Sequence, residues 1–119
     1  MSKTSNIIDF IEAGLRAEQL QQKAIANNIA NLQTPRYRTM EVKFKQLLSK
    51  AMDSAGQVDF DKVKPELYYP EDTKVKANGN DVSMENEIGK MVQNSLQHDA
   101  YIKLLRKKYK QIEMAIDVK

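Results

Sequence analysis

The chain has 119 residues, 19 Lys and Arg against 16 Asp and Glu for a formal net charge of +3, and no cysteine. That length allows one modest domain, and without cysteine there is neither disulfide nor thiolate chemistry, which leaves the redox compartment open. So mild a charge excess does not by itself call for nucleic acid or an anionic membrane, and no run of about 18 apolar residues is present to span a bilayer.

Three Phe, five Tyr and no Trp offer little bulk for a core, and the apolar residues crowd toward the two ends. That distribution suits a helical hairpin that completes its burial by assembling. Asp9, Glu12, Arg16, Glu18 and Lys23 interrupt any apolar h-region in the first thirty residues. No cleavable signal peptide is therefore expected, and export would use a route without a removable leader.

A first helix is expected over about Asn6 to Leu32. Ser5 or Asn6 would serve as N-cap, and Asp9 and Glu12 would complement the helix dipole. One apolar stripe follows Ile8, Ile11, Leu15, Ile25, Ile29 and Leu32, and a second follows Phe10, Ala13, Ala17, Leu20 and Ala24. A single partner helix cannot cover both, so in a lone chain the second stripe is expected to face water. Pro35 restrains Thr34 from helical angles and ends the helix.

The last turns of this helix carry Ala26-Asn27-Asn28-Ile29-Ala30-Asn31. Asparagine is a poor helix former whose amide competes for backbone partners, so something beyond local propensity should use these amides. Asn27 and Asn31 share a face, as do Ala26 and Ala30, and small side chains admit a close neighbour. The expected user is another chain, with the carboxamides setting register.

The middle is more polar. Phe44, Leu47, Leu48 and Ala51 have helical spacing, which predicts a short helix over Glu41–Asp53 stopping near Gly56. From 57 to 77 the pattern is extended: Val58 and Phe60 alternate with Asp59 and Asp61, and Pro65 and Pro70 exclude a long helix. Asn78-Gly79-Asn80-Asp81 is a turn signal.

The last helix is the clearest element. Ser83 is a good N-cap, with Glu85 and Glu87 in the first turn. A heptad seam runs through Ile88, Met91, Ser95, His98, Ile102, Leu105, Tyr109, Ile112 and Ile116, the signature of coiled-coil packing. The expected fold is all-α: two long terminal helices in an antiparallel, coiled-coil-like hairpin, with a short middle segment holding a small helix and an extended, β-like loop. The segments divide as 1–34, 35–82 and 83–119, one assembly domain overall.

Catalysis finds little support, since a nucleophile–base pair is hard to build from one His and no Cys. His98 sits on the seam and reads as an interface residue. No ligand spacing surrounds it for a metal, and Asn80 to Glu87 lacks the alternating oxygens of a calcium loop, so neither metal nor cofactor is expected. Lys103, Arg106, Lys107, Lys108 and Lys110 would suit an anionic partner, but no aromatic residues are interleaved as in single-strand binders. A solvated or inter-subunit face is the favoured reading there. A basic nucleic-acid or envelope-binding module is the rival.

Ala26-Asn27-Asn28-Ile29-Ala30-Asn31, with Thr34-Pro35 and Tyr37, resembles the N-terminal signature of the bacterial flagellar axial proteins that build rod and hook. Asn78-Gly79-Asn80, Met84, Glu87, Asn94, Ser95, Tyr101, Leu105 and Lys107-Lys108 resemble the rod subunits nearest the inner membrane. The short middle segment favours the proximal-rod B type, with the C type the nearest alternative. The family usually has glycine where this chain has Arg36. A left-handed third turn residue suits arginine poorly, so a type I turn or an extended exit is expected, with the guanidinium on a neighbouring subunit. The resemblance implies a structural subunit, exported unfolded through the flagellum-specific type III apparatus without a cleaved signal. It would sit in the periplasmic rod of the basal body. Partners would be copies of itself, other rod subunits and the adaptor at the membrane ring. The implied interface is formed by the first-stripe residues Ile8, Ile11, Leu15, Ile25 and Ile29, the motif residues from Ala26 to Asn31 with Pro35 and Tyr37, and the seam from Ile88 to Ile116.

Overall fold

The computed structural model describes residues 3–52 and 57–117, and the side chains of all of these except 3–6 and 61. Helix α1 spans Lys3–Ala30. Strand β1 (Glu41–Lys43) leads into helix α2 (Lys45–Ala51); a 3-10 turn at Phe60–Lys62 precedes strand β2 (Glu66–Tyr68); and helix α3 spans Met84–Asp117. The molecule is a rod of 67 × 29 × 16 Å.

α1 begins at Lys3, so neither Ser5 nor Asn6 caps it. It ends in a tightening turn, with Leu32 N–H on Ile29 O at 3.2 Å, the 3-10 closure common at helix ends. α3 starts as its residues dictate: Ser83 Oγ accepts from Asn86 N–H at 3.3 Å, and Glu85 and Glu87 occupy the first turn. Its 34 residues span roughly 51 Å at the standard rise.

The two long helices are antiparallel. Phe10 packs edge-on against Tyr101 with ring centroids 6.0 Å apart, Glu18 meets Asn94, and Ile25 shares a cleft with Met91. This register sets Lys3 level with about residue 108, so the last turns of α3 extend past the described start of α1.

Two expectations for the middle are corrected. Residues 41–43 are a strand, not the start of a helix. Glu41 lies opposite Tyr68, Val42 opposite Leu67 and Lys43 opposite Glu66, and β-branched Val42 suits that pleated pair. The helix starts only at Lys45; its expected stop at Asp53 and Gly56 lies outside the described residues. The alternation through Val58 and Phe60 is interrupted by the 3-10 turn, which brings Phe60 edge-on to Phe10 at 6.0 Å and buries Val63. Asp61's side chain lies outside the described ones.

A third correction concerns the second stripe of α1. Ala13 and Ala17 are buried against Phe44 and Val63, with Leu47, Leu48, Ala51, Val58 and Phe60 packed around them. The middle segment thus covers the face that α3 leaves free. Each large apolar side chain so buried contributes about 1.5–3 kcal/mol. Most of the exposed large apolar side chains among the described residues are on α3 instead, with Met52, Leu67, Tyr69 and Val75 in the middle segment.

Candidate assembly site

The end of α1, residues 34–40 and residues 78–82 are tied together by amides. Asn28 is fully buried. Its Nδ2 donates to Met40 O at 2.9 Å; its Oδ1 accepts from Met40 N–H at 2.9 Å and from the Tyr37 hydroxyl at 3.0 Å. One carboxamide therefore holds both backbone polar groups of Met40, in the segment that leaves the helix. Asn31 Nδ2 donates to Asn27 O at 2.8 Å, and its Oδ1 accepts from the Thr34 hydroxyl at 3.0 Å. Asn80, also fully buried, donates from Nδ2 to Asn31 O and Thr34 O, both at 2.8 Å, while its Oδ1 accepts from Val82 N–H at 2.7 Å.

Arg36 sits in the left-handed region at φ 62°, beside Gly79 at φ 84°. The turn Thr34–Tyr37 is closed by Tyr37 N–H on Thr34 O at 3.3 Å. With a left-handed third residue this is type II geometry, not the type I turn or extended exit expected. What holds arginine there is the packing of the two loops: Arg36 N–H donates to Asn78 O at 3.0 Å, and a Cβ on Gly79 would stand 3.3 Å from Arg36 Cα.

A charged layer adjoins the amides. Asp81 accepts from Thr73 Oγ1 at 2.6 Å, from Thr39 N–H at 2.5 Å and from Arg38 Nε at 3.0 Å. Burial alone would raise its carboxyl, but these donors hold it below the ordinary carboxylate range. Lys90 bridges Glu41 at 2.8 Å and Glu87 at 3.1 Å. Glu41 is likewise lowered: burial opposes the shift, and bonds from Lys90 and Tyr68 outweigh it. Glu87 is buried, with Oε1 receiving the Thr39 hydroxyl at 3.3 Å and Oε2 lacking a partner among the described residues.

Farther along, the α1–α3 contact is a polar stripe with one apolar lock. Asn94, with its amide oriented to satisfy both groups, donates to the Glu18 carboxylate and to Glu18 O at 3.3 Å. Burial pushes the Glu18 carboxyl up, eased by His98 and Lys45. Tyr101 lies across Gly14, where an added Cβ would stand 2.5 Å from the ring. Only glycine lets that ring reach α1.

The residues implicated by the sequence fall into two groups. Ile11, Ile25 and Asn28 are buried within the chain, Ile8, Leu15, Ile29, Asn31 and Tyr37 are half-buried, and Ala26, Asn27, Ala30 and Pro35 are exposed. Asn28's amide is thus occupied by its own chain. On α3 Asn94 and Tyr101 meet α1 at Glu18, Phe10 and Gly14, Met91, Ser95 and His98 line a cleft with Ile25 and Ala26, and Glu87 turns to Thr39 and Lys90. Ile88 (50 % exposed), Met91 (45 %), Tyr109 (52 %) and Ile116 (62 %) are open to solvent, as are Ser95 and His98, with Ile102, Leu105 and Ile112 half-buried. Asn80, Asp81 and Thr39 were missed as site residues. For Asn80 and Asp81 the turn signal marked the place; nothing local marked Thr39.

The chain is an elongated pair of long helices, pinned at one end by amides and carrying exposed apolar side chains along α3. A family model described as Flagella basal body rod protein matches residues 8–38, the stretch holding α1's contact face and the Asn28–Tyr37 pairing. Over 98% of its length the chain is 28% identical to flagellar basal body rod protein FlgB of Bacillus subtilis (strain 168), covering 97% of that protein. It is 23% identical to the FlgB of Borreliella burgdorferi, with 98% and 99% covered, and 22% identical to that of Borrelia hermsii, with 92% and 94% covered. The chain is thus similar to flagellar basal body rod proteins, in its first helix to the family model and over nearly its whole length to these relatives. The C-type alternative is not favoured.

Proposed function

We propose that this chain is a B-type proximal-rod subunit that joins copies of itself and other rod subunits through α1 and α3, in the periplasmic part of the basal body. It is a structural subunit and not an enzyme. Residues 1–34, 35–82 and 83–119 act as one assembly domain, delivered by the type III apparatus without a cleaved signal and seated on the adaptor at the membrane ring. The observation that supports this reading is the exposed apolar surface of α3: Ile88, Tyr109 and Ile116 stay open to solvent while Asn94 and Tyr101 meet α1. Burying several of those side chains at about 25 cal/mol per Å² supplies the drive for association. Identical copies meeting through different surfaces, at a rotation that does not close on itself, build an open helical tube.

The test is genetic and structural. Deletion should leave cells with the membrane ring but without rod, hook or filament. Ile102→Asp or Leu105→Asp should be made at normal levels yet fail to enter rods. Swimming by the deletion strain would refute the reading.

A further inference from the structure

We infer that the Asn78-Gly79 junction is a spontaneous modification site: the Asn78 side chain loses its amide as ammonia when the chain is unfolded, and the fold shuts that reaction off. This is the only Asn-Gly pair in the sequence. In such a pair the glycine nitrogen can attack the asparagine Cγ, because no Cβ stands in the way. A C–N bond forms, ammonia leaves carrying the nitrogen's proton, and a cyclic imide results. Water then opens one of its two carbonyls. One opening gives aspartate, and the other gives isoaspartate, in which the main chain runs through the side-chain carbons.

The fold holds each reacting group away from this course. Gly79 N–H, which must give up its proton, donates to Lys76 O at 3.0 Å. The Asn78 carboxamide is fixed by its Oδ1, which accepts from Asn80 N–H at 3.1 Å. The carbonyl of the peptide joining the two residues accepts from Arg36 N–H at 3.0 Å, so that peptide is not free to turn. Asn80, fully buried and bonded to Asn31 O and Thr34 O, denies slack from the other side. Asn78 itself is exposed, so water is at hand; what the folded chain lacks is freedom to cyclise. Nor does the turn tolerate a safer residue at 79: its φ is 84°, and a Cβ there would stand 3.1 Å from Arg36 Cγ. Isoaspartate at 78 lengthens the main chain and moves the carbonyl that Arg36 N–H uses. Aspartate leaves the main chain unchanged and keeps an acceptor for Asn80 N–H. A subunit delivered unfolded is open to this ageing until it folds, a consequence that rests on the rod-subunit reading.

The purified full-length chain, kept in mildly alkaline buffer with or without urea and then cut with trypsin, reports on residue 78 through the 77–90 peptide. Fragmentation mass spectrometry and enzymatic isoaspartate labelling follow the conversion. It should run roughly 30-fold slower in buffer than in urea, equivalent to about 2 kcal/mol for two hydrogen bonds that must open first. Equal rates would overturn the gating by the fold. Conversion in urea at Asn80 or Asn86 as fast as at Asn78 would overturn the assignment of the site. Gly79→Ala should slow the reaction in urea, where strain in the turn plays no part, and an unchanged rate there would overturn attack by the residue 79 nitrogen. After refolding, chains with isoaspartate at 78 should unfold at a lower urea midpoint than Asn78→Asp chains; equal midpoints would overturn the damage assigned to the turn. Rods persisting in a deletion strain would instead refute the rod-subunit reading and leave these rates untouched.

Discussion

Replacing Asn28 by alanine should cost more than any other single amide change in this chain. The side chain is fully buried and serves three groups: Met40 O, Met40 N–H and the Tyr37 hydroxyl, at 2.9 to 3.0 Å. A buried group left unpaired costs about 1–3 kcal/mol. Met40 and Tyr37 are only half-buried and regain some water, so the low end applies, and three groups at about 1 kcal/mol each give about 3 kcal/mol. That is a factor of roughly 150 in the folding constant. Urea unfolding followed by far-UV circular dichroism should show a lower midpoint at unchanged slope. Tyr37→Phe removes one bond and should cost about 1 kcal/mol. Asn27→Ala, on the exposed side of the same turn, should be neutral or slightly stabilising because alanine is the better helix former. If Asn28→Ala and Asn27→Ala shift the midpoint equally, the proposed use of the buried amide is wrong.

Gly14→Ala should destabilise by about 1–3 kcal/mol through overpacking against Tyr101, and Tyr101→Ala in that background should add less than it does alone; additive losses in chemical denaturation would refute the lock. Arg36→Gly should stabilise by about 1 kcal/mol, relieving a left-handed arginine, and an unchanged melting temperature would count against strain there. The Asp81 and Glu41 carboxyls are held below their ordinary 3.8 and 4.5, so their contribution is present above those values and lost as pH falls through the lowered ones; Asp81→Asn should flatten the acid limb of a stability–pH curve. Glu18 has the opposite sign. Its raised carboxyl contributes stability that fades as pH rises through the folded value, so Glu18→Gln should be more stable than the parent at neutral pH and indistinguishable from it well below pH 4.5.

The two long helices, the Ser83 cap and the turn at 78–80 were legible because each rests on local chemistry: heptad spacing, a hydroxyl before an acidic first turn, and Asn-Gly. The faces were not. Apolar periodicity marked Ile88 to Ile116 as the seam of α3, yet the hydrogen-bonded and ring contacts to α1 come from Asn94 and Tyr101, with only Met91, Ser95 and His98 of the seam beside Ile25. A polar contact leaves no trace in a hydrophobic pattern. The same blindness hid the partner of Ala13 and Ala17, because Phe44 and Val63 belong to segments brought there by long-range pairing. Strand β1 was masked by the helical spacing that begins at Phe44. Arg36 was misread because the loop that holds it, from Asn78 to Gly79, lies some forty residues away. Of the asparagines at the end of α1, Asn28 and Asn31 use their amides on their own chain, where a neighbouring chain was expected.

Asn80 reaches from one side of the molecule to the carbonyls of Asn31 and Thr34 on the other, so residues 32–79 depart from and return to a single point. Such an excursion is a graft on a fixed stem. Extending it at the exposed bend of Glu71 and Asp72 would add only a logarithmic entropy term, leaving the stem as it is. A lineage could thus vary the outer ornament of such a subunit at small thermodynamic penalty, while the buried amides keep both arms in the same alignment.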